Sequence, residues 1–163
     1  MLETDPTVVL AYAKAEFIDE SGKRLDITDP GWDLRSEAAH ERLRYVIYAD
    51  HLVNAPHGLI RQRALSKTRL IANYPGGDYR LLGELALHGK FIELQHCLFL
   101  RRFHPGSSSQ NRDSIDWQVT FYTGSSRHLR LPRWQRTLDH FATIMRSQLV
   151  CDLNWAYVRS SPS

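Results

Sequence analysis

At 163 residues, with 42% apolar and 24% charged side chains, the chain has the length and make-up of one folded domain. A domain of this size buries roughly 70% of its extended-chain surface, so its core needs no disulfide or metal staple. Seventeen aromatic residues argue against disorder, and no apolar run approaches the ~20 residues of a membrane-spanning helix.

The formal charge of +3 is unevenly spread. Residues 1–60 carry eleven acidic and six basic side chains, residues 61–163 seven acidic and fifteen basic ones. A basic half is an electrostatic footprint for a polyanion or an acidic partner. GC-rich coding also produces such a bias, since 17 of the 21 basic residues are Arg. Residues 1–6 lack the basic-then-apolar pattern of a secretory leader, so a cytoplasmic protein is expected. Cys97 and Cys151 lie on separate predicted strands and form no C-x-x-C pair. They are expected to be buried thiols, and they give no zinc framework.

Residues 6–28 are open to two readings. Asp5-Pro6 suits a helix start and Gly22 a helix stop, yet residues 12–18 alternate and residues 20–23 read as a turn. A hairpin is the favoured reading. Asp29-Pro30-Gly31 is a turn signature, and after it Ala39, Leu43, Val46 and Ile47 recur at helical spacing. A helix over 36–53 follows, with Ser36 as N-cap and Glu37 and Glu41 suiting the helix dipole.

Pro75-Gly76-Gly77-Asp78 is a turn. Residues 79–87 and 91–103 then read as two strands joined at His88-Gly89-Lys90. Ile92, Leu94, His96, Leu98 and Leu100 would share one face of the second strand, and Phe91, Glu93, Gln95, Cys97 and Phe99 the other. Residues 104–113 form a polar loop. Ile115, Trp117, Val119 and Phe121 alternate with polar residues as a half-buried strand. Pro132 opens a helix over 132–148, in which Trp134, Leu138, Phe141, Ala142, Met145 and Leu149 make an apolar stripe. Cys151, Leu153, Trp155 and Tyr157 alternate as a closing strand before a frayed tail at 159–163. Strands sit next to strands, so the expected fold is a single α+β domain over residues 1–163. It would be an antiparallel sheet of about 5–6 strands with two main helices packed on one face.

The sequence holds no nucleotide-binding loop, nucleophile elbow or H-E-x-x-H motif. No cofactor and no metal are expected. Three constellations remain. Asp50, His51 and His57 combine a carboxylate with two imidazoles, although their spacing matches no recurring ligand pattern, and a solvated helix end is the plainer reading. Glu93, Gln95, Asp152 and Asn154 would line one sheet face if their strands are neighbours, and a solvent-facing sheet surface is the plainer reading again. His96 among leucines reads as a hydrogen-bonded core histidine. The third set is Arg101, Arg102, Arg112, Arg127, Arg130, Arg133 and Arg136, whose guanidinium forks suit phosphates and carboxylates. Trp134 and Tyr122 could stack on bases if exposed, though Trp134 begins the apolar stripe and reads as core.

The leading functional expectation is a small non-enzymatic binding or regulatory protein. It would hold an acidic protein surface or nucleic acid through the Arg-rich region 101–136. The alternative is an enzyme or small-ligand carrier with a pocket between the sheet and the 132–148 helix, using Glu93, His96 and Asp152. A third reading is a subunit that pairs with copies of itself through an exposed edge strand.

Overall fold

The structure is a computed structural model that describes residues 2–28, 30–49, 53–107, 114–123 and 132–147. The elements in chain order are β1 (Val8–Ile18), α1 (Ala39–Tyr48), a 3-10 turn (Ala55–His57), β2 (Leu59–Ile60), α2 (Gln62–Leu65), α3 (Gly77–His88), β3 (Lys90–Arg102), α4 (Ile115–Thr123) and α5 (Pro132–Arg146). No described helix is long and apolar enough to cross a membrane.

The sheet departs from expectation. Among the described residues it has three strands in the order β2-β1-β3, not five or six, and five helices accompany it. It is mixed and not antiparallel, because β1 runs antiparallel to β2 but parallel to β3. Two misread segments explain the difference. Residues 79–87 form α3, not a strand: the run is buried on nearly every side, so its apolar residues show neither period clearly. Residues 115–122 form α4. Alternation at every second position also places Trp117 and Phe121 four apart, and the two rings stack at 5.0 Å between centroids. With 79–87 helical, β3 cannot be the second arm of a hairpin. The chain reaches it through a crossover that carries α1, α2 and α3, as a parallel strand pair requires.

The expected hairpin at 6–28 is a stub. Asp19 Oδ1 accepts bonds from Ser21 N and Lys23 N, both at 2.9 Å, and Gly22 turns the chain at φ +89°. Leu25 N then donates to Phe17 O at 2.8 Å, and a single bridge joins Ile18 to Arg24. The expected closing strand at 151–157 lies outside the described residues.

β1 is central and buried along most of its length, as suits a strand with neighbours on both edges. Val8, Leu10, Phe17, Phe91, Trp32, Val46, Leu82 and Leu85 are the largest side chains that are fully buried. α1 packs on α3, and Arg42 fastens the two ends that meet. Its Nε donates to the Ala86 carbonyl near the end of α3 at 2.8 Å, and Nη1 donates to Ser36 O at 2.6 Å and Glu37 O at 3.0 Å before α1. α3 is entered through Gly76 at φ +81°, a left-handed conformation that glycine adopts without penalty. α3 also packs against α5, and Gly83 of α3 lies against both His140 of α5 and Leu43 of α1.

Candidate functional site

α5 begins at Pro132, whose fixed φ and missing N–H suit a first helical position. Its sequence carries two stripes. Trp134, Leu138, Phe141 and Met145, spaced four, three and four apart, make the apolar one. Arg136, Asp139, His140 and Thr143 make a polar one. Burial of the apolar stripe is the ordinary outcome for such a helix. The structure does the reverse.

The polar stripe lies against α3 and the segment that leads to it. Tyr74 Oη donates to Asp139 Oδ2 at 2.6 Å, Arg69 Nη1 lies 3.1 Å from Asp139 Oδ1, and Arg80 Nη1 lies 3.6 Å from Oδ2. Arg69 Nη2 donates to Thr143 Oγ1 at 3.0 Å. The same arginine pairs through Nε with Glu84, whose Oε2 also accepts the Arg69 backbone N–H at 2.6 Å. One guanidinium thus joins α3 to two turns of α5. The Arg136 guanidinium lies 5.0 Å from the centre of the Tyr79 ring, a cation–π contact. Burial and the bond to Asp139 push the Tyr74 phenol up.

His140 is the exception in this joint. It is 5% exposed, packs beside Gly83, and neither ring nitrogen has a hydrogen-bond partner among the described residues. Burial, with Arg136 nearby, pushes its pKa down to about 4.

The apolar stripe faces away from this joint. Leu138, Phe141 and Met145 are 64%, 60% and 56% exposed. Three large apolar side chains on one strip of one helix are a patch, unlike a scattered surface leucine. The Trp134 side chain, expected in the core, lies outside the described ones.

The seven arginines singled out from the sequence fare differently. Arg101 Nη1 donates to Asn54 Oδ1 at 2.8 Å and to Val53 O at 3.2 Å. Arg102 Nη1 donates to Glu20 O at 2.7 Å and Asp19 O at 3.0 Å. Arg136 sits on Tyr79. Arg112, Arg127, Arg130 and the side chain of Arg133 lie outside the described part. The three described guanidinium groups therefore hold the chain's own fold together.

Glu93 and His96 do not meet. The pairing of β1 with β3 shifts register on both sides of Lys14, which breaks the simple alternation of β3 faces. Glu93 is buried, and Oε2 accepts the Tyr12 hydroxyl at 2.8 Å while Oε1 lies 3.9 Å from Lys14 Nζ. The Glu93 backbone N–H donates to Asp33 Oδ1 at 3.2 Å, and the Tyr12 oxygen also accepts Trp32 N–H. Gln95, His96 and Cys97 are exposed, so neither a core histidine nor a buried thiol forms at those positions. Asp152, Asn154 and Cys151 lie outside the described residues, as do Asp50 and His51.

His57 is described. Its ring stacks on Phe99 at 5.1 Å between centroids, beside the Asn54 that Arg101 holds. No group of three or more potential metal ligands occurs among the described residues.

Sequence reading missed Arg69, Tyr74 and Asp139. Only Asp139 had a signal, in the polar stripe of α5, while Arg69 and Tyr74 precede α3 with no pattern to mark them. No family model matches the chain, and no curated protein and no solved structure matches it either.

Proposed function

We propose that this chain is a small binding or regulatory protein whose α5 presents its apolar stripe to an acidic, amphipathic helix of another protein. The observation that carries this reading is the orientation of α5, docked by its polar face with Leu138, Phe141 and Met145 outward. Burial of such a stripe in a helix-in-groove or helix-on-helix contact contributes roughly 25 cal/mol per Å² of apolar area. The charge of the second half, fifteen basic against seven acidic residues, favours an acidic partner over a basic one and speeds encounter.

The probe is a synthetic helix with leucines at i, i+3, i+4 and i+7 and glutamates elsewhere, followed by fluorescence anisotropy. Binding should weaken with added salt, and F141E should reduce affinity about tenfold or more, the loss of one anchor. Absence of binding at low salt sinks the reading. Duplex DNA, run in parallel, decides against it if DNA binds while F141E changes nothing. Light scattering that shows a wild-type dimer and a monomeric F141E assigns the stripe to a second copy and also overturns it.

A further inference from the structure

α5 is joined to the rest of the protein mainly through charged and polar side chains. Among the described residues it packs chiefly on α3, and the buried apolar cluster of the fold contains no described α5 side chain. Leu138, Phe141 and Met145 face outward. No described core contact has to break for the helix to leave α3, and an element with few buried apolar contacts opens readily.

His140 sits within this joint. A Cβ at Gly83 would lie 3.2 Å from its ring and 3.5 Å from Leu43 of α1, so the helices approach closely there. The imidazole is buried, and neither nitrogen has a hydrogen-bond partner among the described residues. The charged groups around it are Glu84 of α3, Arg69 of the segment before α3, and Arg136 and Asp139 of α5 itself. Both carboxylates are already engaged. Glu84 holds Arg69 through Oε1 and Oε2, while Asp139 holds Arg69 through Oδ1 and Tyr74 and Arg80 through Oδ2. An imidazolium at His140 would be a buried cation beside two guanidinium groups, and the nearby carboxylates already serve other donors.

We propose that α5 is an acid-released latch, in which a proton on His140 undocks the helix from α3. The proton comes from solvent as the helix opens, and it stays on the exposed imidazole. In the docked helix the imidazole is neutral; in the released helix it titrates as an ordinary histidine, near 6.5. Docking is therefore at full strength above about pH 6.5 and weakens progressively as pH falls to about 4. The contacts of Asp139 with Arg69, Tyr74 and Arg80 break together when the helix leaves, so the response is confined to one joint. The release needs no partner. Its consequence, that acid withdraws the apolar stripe from a bound helix, rests on the partner reading above.

Hydrogen exchange of the full-length protein at pH 7 and pH 5, corrected for the intrinsic pH dependence of amide exchange, tests the release. The opening of α5 should rise about tenfold at pH 5, within the limit of about tenfold per pH unit that one proton sets, while β1 keeps its protection. H140L should remove the rise, and H140M serves if H140L does not match wild-type circular dichroism at pH 7. An α5 equally protected at both pH values in the wild type overturns the proposal. So does an equal loss of protection in β1, which marks global unfolding, and so does a rise that persists in the folded variant. Release of α5 in acid by a protein that never binds the acidic probe helix at pH 7 supports the latch and fails the partner reading alone.

Discussion

Gly31 shows how one position can be fixed by another sixty residues away. It sits at φ +70°, and a Cβ there would run into the Glu93 carboxylate. Glu93 in turn is held by Tyr12, whose hydroxyl also takes the Trp32 N–H. We expect G31A to destabilise by about 2 kcal/mol or more, from the left-handed backbone and the displaced carboxylate together. Urea denaturation measures it, and a change under 0.5 kcal/mol would mean that this contact does not form. The Asp29-Pro30-Gly31 sequence announced a turn. It did not announce why glycine is needed, because the obstructing atoms belong to β3.

His140 sets a pH dependence at the same scale. Its folded pKa of about 4 lies below the usual 6.5, so the unfolded chain takes up the proton first as pH falls. The stability that comes from a neutral His140 is complete above pH 6.5 and is lost progressively between 6.5 and about 4. The loss amounts to at most about 3 kcal/mol for one fully buried group. Denaturant midpoints at pH 7 and pH 5 test this, and H140L should flatten the difference. If H140L leaves the slope intact, the acid sensitivity resides elsewhere.

At the scale of elements, α5 is held by polar contacts that act as a unit. Asp139 takes Tyr74, Arg69 and Arg80 at once, so D139A leaves three donors to find other partners. The joint is half-exposed, which discounts the pair energies. A cost of about 2 kcal/mol follows from the lost charged hydrogen bonds. Hydrogen exchange should show faster exchange in α5 and near-wild-type exchange in β1, and a uniform change across the chain would contradict a local joint. The existence and start of α5 could be read from Pro132 and the periodicity. Its orientation could not, because a helix with one apolar and one well-ordered polar stripe can dock by either, and only the facing residues decide. Arg69, Tyr74, Arg80 and Glu84 are those residues: the last two lie in the 79–87 segment that reads as a strand, and the first two precede it. α1 behaved more simply. Its periodic residues lie within the expected 36–53 span and bury Leu43 and Val46.

At the scale of the whole molecule, the parallel pairing of β1 with β3 organises everything described. It places β1 in the middle, puts the crossover helices against the sheet, and carries Arg101 back to the residues that precede the 3-10 turn. We expect β1 amides to be the last to exchange, since they lie between two strands and under a buried core. Earlier protection in α3 than in β1 would argue for a different organising element. The sequence by itself determined an α+β chain, the turns at Gly22 and Gly76, a helix within 36–53 and one from Pro132, and a basic second half. Those are local properties, set by backbone freedom, periodicity and composition. Tertiary structure alone decided that residues 79–87 and 115–122 are helical and that the sheet is mixed. It also decided that α5 turns its apolar side outward. The physical reason is shared: a short apolar run satisfies a strand or a helix equally well, and a side chain's surroundings are supplied by residues far away along the chain.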